Sequence, residues 1–461
     1  MLTVRADQPR LLGALLAVLL VASGCAVSGD RSAPPGATSP TPTLSGAANP
    51  NSSPSAIPTG SKSVKPMVRG LPVPPDLYAA FSGLLDTRAR ALVERDRDAY
   101  VSVLDRRDVG FVTAQEGYFD NLAQLPLASL DYNVDRSSLV RGRASYSVVV
   151  EITMQIDGFD AVPSWTLDRF RFDEVGTRTR QRYRLASVTD RAWEEQHDVR
   201  PQPWEAQPVQ VRRSARVLAI FDDSSVEDAR PLLRSLEASI SDVASRVPFE
   251  WDASVLVYAL SDTSFVGSLD DLPGDDPEAL DAIAFTVPAG SDGARVAATR
   301  IVLNPRIVAQ SGQARERLLR HELTHVALGE HDDNAPVWLA EGLAEWVSVQ
   351  VLPEGQRRVG AEALRAARRG IDSMPDDETF NDENATLNYA TAWWVCEYLA
   401  TAFGETAPWV VLDAFATPGV PQSPTIQALL QISVDKLAKR GNALLVRSYA
   451  PQPPGDEPSG G

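Results

Sequence analysis

The sequence predicts an α+β protein of two folded units, the second passing from a mixed sheet into a helical half, and three observations predict it. Between residues 76 and 205 one long stretch of helical spacing precedes runs that alternate apolar and polar residues. From residue 214 to 450, strand-like and helix-like segments first take turns, and helical spacing then prevails around HELTH and WLAEG. The same region holds three of the four histidines of a 461-residue chain. An apolar fraction of 44% with 23% charged residues is ordinary for globular protein. The net charge of -17 argues against nonspecific binding to nucleic acid or to anionic lipid, since both repel an acidic surface.

Taken in order, the first thirty residues carry an export pattern. MLTVRADQPR holds two arginines, LLGALLAVLLVA is apolar, and SGC follows. The apolar run is shorter than the roughly 20 residues of a membrane span, so it reads as the core of a signal peptide. Val21-Ala22-Ser23-Gly24-Cys25 resembles a bacterial lipobox, with Ala22 where leucine is commoner. On that reading residues 1–24 are removed, and a lipid on Cys25 anchors the protein to the extracytoplasmic side of the cell membrane. The alternative is an ordinary secretory signal cleaved at another small residue. Residues 25–75, rich in Pro, Ser, Thr and Gly, are too poor in large apolar side chains to fold and read as a flexible tether. The tail 451–461 reads the same way.

The first folded unit opens with LYAAFSGLLDTRARALVERDRDAYVSVLD, where Leu84, Leu85, Ala89, Leu92 and Val93 fall at helical spacing. Alternation at Tyr146, Val148, Val150 and Ile152 predicts half-buried antiparallel strands after it. A long helix followed by a curved sheet resembles the NTF2-like fold, a cone of sheet around a helix. In that superfamily the cone is a ligand pocket, a dimer surface or a spacer, and the sequence does not choose. His197, just beyond it, reads as a solvated linker residue. The second unit begins near Ala215 with RVLAIFDD as a strand, an amphipathic helix over VEDARPLLRSLEASISDVASRV, and SVLVYAL, AIAFTV and ATRIVLNP as further strands. The acidic stretch 270–281 lacks the spacing of a calcium loop and reads as a surface loop.

Apolar Leu318, Leu319, Leu323 and Val326 and a stopping Gly329 predict an amphipathic helix over SGQARERLLRHELTHVALG. On it His321 and His325, four apart, share one face, close enough for both rings to reach one zinc ion at about 2.0–2.1 Å. Glu322 lies beside them, placed to take a proton from water at the metal. A second helix, with Pro336 in its first turn, carries Glu341 and Glu345 on one face. One of these carboxylates can complete a His-His-Glu set while the other accepts the spare ring N–H of a ligating histidine. Gly342 would let the two helices approach closely. The competing reading makes both glutamates solvated and the histidines ordinary core or surface residues. His331, among acids and asparagine, reads as exposed. Cys396, in TAWWVCEYLA, reads as a small buried hydrophobe, and with Cys25 lipidated it has no disulfide partner.

HELTH followed by WLAEGLAEW resembles the gluzincin clan of zinc metallopeptidases, in particular its bacterial peptidase-MA-like group. The resemblance implies zinc on His321, His325 and Glu341, Glu322 as general base and Glu345 as support behind a ligand. LNYATAWWVCEYLATAFG further resembles the segment in which an aminopeptidase tyrosine binds the oxyanion, which implies that role for Tyr389 because Tyr398 and Leu399 follow at the matching nine and ten residues. A core aromatic is the other reading of Tyr389. The resemblance spans about half the chain, though its specific motifs occupy far less. The loop between His325 and Glu341 is shorter than in the aminopeptidases, and no G-x-M-E-N motif is present. Cleavage inside a peptide or protein substrate is therefore the expected activity. The rival expectation is a noncatalytic or latent lipoprotein that binds a ligand or partner through its first unit and keeps zinc for structure.

Overall fold

The computed structural model describes residues 70–450 apart from 178–179, 270–276, 292 and 294, together with a short strand β1 (Leu16–Val18). Cys25, expected to carry the lipid, the stretch up to residue 69 expected to be a tether, most of the acidic stretch 270–281 and the residues after 450 lie outside the described residues. No helix among the described residues is long and apolar enough to cross a membrane.

The first unit is built from α1 (Pro75–Glu94), α2 (Arg97–Ser102) and α3 (Val109–Leu122), then β2 (Leu127–Val134), β3 (Val140–Arg141), β4 (Ser145–Ile156), β5 (Ser164–Thr177) and β6 (Arg180–Ser187). The strands form a curled antiparallel sheet in the order β2-β4-β5-β6, with β3 on β4, and α1 packs against β2 and β6. The spacing that predicted one long helix is cut at Arg95, whose φ of 59° closes α1, and the Asp96 carboxylate caps α2 by accepting from the Ala99 N–H at 2.9 Å. The buried stripe of α1 also lies to one side of the predicted one. It runs through Leu77, Phe81, Leu85, Ala89 and Leu92, and Val93 is left exposed. Phe81 stacks on Phe172 with ring centroids 4.2 Å apart, filling the centre of the curl.

Two short helices, α4 (Arg191–Gln196) and α5 (Pro203–Ala206), lead to the second unit. His197 ends α4 half-buried rather than solvated, stacked on Trp193 with centroids 4.1 Å apart. The larger sheet has the order β1-β10-β11-β9-β8-β7 and contains β7 (Gln210–Arg213), β8 (Val217–Phe221), β9 (Val255–Ala259), β10 (Ala282–Pro288) and β11 (Val296–Leu303). Strands β8, β9 and β11 run parallel, whereas β7 and β10 are antiparallel to their neighbours, so the sheet is mixed as predicted. It starts a few residues before the expected boundary at 214, because β7 already pairs with β8.

Alternation along these strands shows why they are apolar throughout. Val217, Ala219 and Phe221 of β8 enter a core with the helices, while Leu218 and Ile220 enter the core of the first unit. Each face of the larger sheet is covered, one by helices and the other by the curled sheet. The helical face begins with α6 (Ala229–Ala244) and continues through α7 (Pro305–Val308), α8 (Gln313–Leu328), α9 (Val337–Val349), α10 (Ala361–Arg369), α11 (Ala385–Phe403), α12 (Ala407–Asp413), α13 (Gln422–Leu430) and α14 (Val434–Ser448). Helix α8 lies against β10, α6 and α9.

Candidate metal centre

Helix α8 stops at Gly329, whose φ of 54° is reached without strain by a residue lacking Cβ. The helix is less amphipathic than its spacing suggests, because every residue from Leu318 to His325 is buried. Pro336 stands one position before α9 as its N-cap, and the Asp377 carboxylate accepts from the Val337 N–H at 2.9 Å. Gly342 does permit a close approach, though to α11 and not to α8. A Cβ there would come within 2.6 Å of the Ala392 carbonyl oxygen.

Three side chains from these two helices converge. His321 Nε2 lies 3.2 Å from His325 Nε2 and 3.1 Å from Glu341 Oε2, and His325 Nε2 is 3.6 Å from the same oxygen. Ligands bound tetrahedrally at about 2.0–2.1 Å stand about 3.3 Å from one another, so this triangle matches the size of such a coordination shell. All three residues are buried and together could hold a metal ion. They also lean on further groups. Glu345 Oε1 is 3.3 Å from His321 Nδ1, off the direction that would make a good hydrogen bond, and its other oxygen is ion-paired with Arg317. Asp332 Oδ2 approaches His325 Nδ1 at 3.5 Å.

Charge among these side chains is divided unevenly. Burial works against every ionised form, but for Glu345 the Arg317 and His321 cations outweigh it and hold the carboxyl down to about 2. Glu341 is lowered likewise, with His321 and His325 overcoming its burial. For His325 burial alone would favour the neutral ring, yet Asp332 and Glu341 reverse that and raise it to about 10. Glu322 is the exception. Burial pushes its carboxyl up to about 7, and neither oxygen has a hydrogen-bond partner among the described residues. The backbone of Ala284 on β10 faces it without closing a hydrogen bond.

Tyr389, in the first turns of α11, joins the group. Its hydroxyl sits 3.3 Å from Glu341 Oε1 and 3.1 Å from Asn381 Oδ1. Burial raises its pKa well above the usual phenol range, so it stays a neutral donor. The structure thus gathers His321, Glu322, His325, Glu341, Glu345 and Tyr389, six of the residues singled out in the sequence. His331 stays outside, exposed and stacked on Phe249 at 3.8 Å. Cys396 is buried and free, and burial pushes its thiol pKa up. Sequence reasoning missed Arg317, Asp332 and Asn381. Only Arg317 left a signal, lying four residues before His321 on the same helical face. Compared with models of known families and with curated proteins, the chain matches none.

Proposed function

We propose that this is a metal-dependent hydrolase. More particularly, we read it as a zinc metallopeptidase of gluzincin type that cleaves within peptide chains. The observation that carries the reading is Glu322, a fully buried carboxylate under the electrostatic influence of His321, His325 and Glu341, with neither oxygen hydrogen-bonded among the described residues. A structural metal site has no use for such a group, and structural zinc usually takes four protein ligands where this centre offers three. The donor set of two imidazoles and one carboxylate, at separations that fit a tetrahedral shell, suits zinc. His321, His325 and Glu341 would hold it. When bound, the ion supplies Lewis acidity, lowering the pKa of water toward about 7 and polarising a carbonyl.

The chain's own residues divide the remaining work. Glu322, poised near neutrality, accepts the proton of the attacking water and returns it to the leaving amine. Tyr389, neutral and adjacent to Glu341, donates to the oxygen on which charge develops. Glu345 and Asp332 face the Nδ1 atoms of the two histidines and favour the ring form that leaves Nε2 free. Substrate would bind extended along β10, whose outer edge takes β1 as an antiparallel neighbour, with Leu16 opposite Ala284. We also propose anchoring through a lipid on Cys25, for which release of the Cys25→Ala protein from the membrane fraction is the check.

The test compares residues 26–461 with the Glu322→Gln variant on a peptide library, with bound metal measured in both. The expected result is one zinc per chain in each and a loss of about 10²- to 10⁴-fold in kcat/KM for the variant. Equal cleavage by the two proteins would refute the catalytic role.

A further inference from the structure

Beside the centre, on the outer side of Glu345 and Tyr389, lies a cavity of about 340 Å³ walled by Arg317, Arg358, Arg365 and Thr386 and by the first turn of α10. It is one side chain away from the ligands, because Glu345 contacts His321 at 3.3 Å and the Tyr389 hydroxyl is 3.3 Å from Glu341. The cavity is basic in a chain whose net charge is -17. Of its three arginines only Arg317 is neutralised, by Glu345, and it is held in place over the Trp393 ring at 4.8 Å. Arg358 and Arg365 have no carboxylate within 4 Å among the described residues, and the one further acid in the wall is Glu362. The backbone N–H groups that open α10 receive no side-chain cap and add positive potential at the same wall.

Taken with the peptidase reading, on which it rests, the geometry points to a specificity subsite for an acidic substrate side chain, an aspartate or glutamate close to the bond that is cut. Two guanidinium groups with no carboxylate partner among the described residues favour a carboxylate there, since each can grip it with two parallel N–H donors. The volume lies at the low end of ligand clefts and has room for a glutamate side chain with its neighbouring backbone. Acidic residues should therefore be selected by this wall although the protein as a whole repels them.

The experiment uses zinc-loaded Glu322→Gln protein, residues 26–461, and two blocked alanine hexapeptides that carry either two central glutamates or two central glutamines. The glutamate peptide is expected to bind at least tenfold more tightly by calorimetry at low salt. Replacing Arg358 and Arg365 together by glutamine, both being exposed, should bring the ratio of the two affinities to about one with zinc content and melting temperature retained. Equal affinities in the parent protein, or a preference that survives the double substitution, would overturn the subsite. Binding is read without turnover, so failure of the peptidase reading shows separately, as absence of cleavage by the parent enzyme.

Discussion

Two clusters of buried charge sit on opposite faces of the larger sheet, and they are satisfied to different degrees. On the back face, Arg300 of β11 is ion-paired with Asp160 of the first unit at 2.9 Å and donates to the Tyr258 hydroxyl at 2.9 Å, which in turn donates to Gln202 at 2.8 Å. Asp160 also accepts from the Ile156 N–H at 2.8 Å. Within this cluster, Arg300 Nε is the one buried polar side-chain atom without a partner among the described residues. On the front face Glu322, equally buried, has no hydrogen-bond partner for either oxygen among the described residues, and His321, His325 and Glu341 act on it electrostatically. Buried polar groups are normally paired, because an unpaired one loses its hydration for nothing in return. The satisfied cluster is what holding two units together requires. The unsatisfied one gathers His321, His325 and Glu341, which could hold a metal ion, and this is what the proposed catalytic reading rests on.

The sharpest way to break this contrast is to damage the satisfied cluster. Asp160→Ala leaves the Arg300 guanidinium buried and uncompensated, and should cost about 3–5 kcal/mol in urea unfolding. Replacing both partners, Asp160→Leu with Arg300→Met, should recover much of that loss because no charge is stranded. If the single variant unfolds at the same urea concentration as the parent, the pair does not join the units.

A smaller effect, of opposite character, is expected at the centre once metal is removed by a chelator. The folded state holds the Glu322 proton up to about pH 7, against an ordinary value of 4.5. Between those values the folded chain binds more protons than the unfolded one, so stability falls as pH rises, by about 3 kcal/mol in all, and the loss is complete above pH 7. Glu322→Gln removes the titrating group and should flatten this decline. A metal-free parent and variant with parallel stability curves from pH 4.5 to 8 would show that Glu322 is not held in an unfavourable environment. The same substitution at Glu345, which is lowered to about 2, should act in the reverse sense, since its contribution is present above pH 4.5 and lost only as pH falls toward 2.

The two clusters also differ in how far they could be read beforehand. His321, Glu322 and His325 are neighbours on one helix, so spacing alone places them together, and Glu341 follows on the next helix after a short loop. Local periodicity likewise revealed the strands, as with Val148 and Val150, both fully buried. Asp160 and Arg300, by contrast, are 140 residues apart and belong to different units. No period in the sequence encodes such a meeting, and the docking of the curled sheet on the back of the larger one stayed hidden for the same reason. The stripe of α1 lies to one side of the expected one because the helix also buries Arg88, a residue that apolar spacing does not mark, with its guanidinium over the Tyr100 ring at 4.6 Å. Asp332 was invisible because a loop gives its residues no face.

Asp332 supplies the finest test, since it separates holding a metal from merely surrounding one. Its carboxylate lies 3.5 Å from His325 Nδ1, where a proton on that nitrogen leaves Nε2 free toward His321 and Glu341. Asp332→Asn keeps the size of the side chain and removes its charge, so the ring is less basic and less firmly oriented. Loss of such a partner typically costs about 10- to 100-fold in metal affinity. Chelator competition at pH 7.5 should therefore show zinc binding weakened by that factor, while urea unfolding of the metal-free protein changes little. The pH dependence carries a second signature. In the parent, Asp332 and Glu341 raise His325 to about 10, so a metal ion binding there displaces its proton throughout the neutral range, and affinity should rise by up to tenfold per pH unit. Without the Asp332 charge the ring gives up its proton more readily, and that rise should level off at lower pH. An Asp332→Asn variant with the parent's affinity and the parent's slope would place Asp332 outside the centre and leave Glu345 as its one supporting carboxylate.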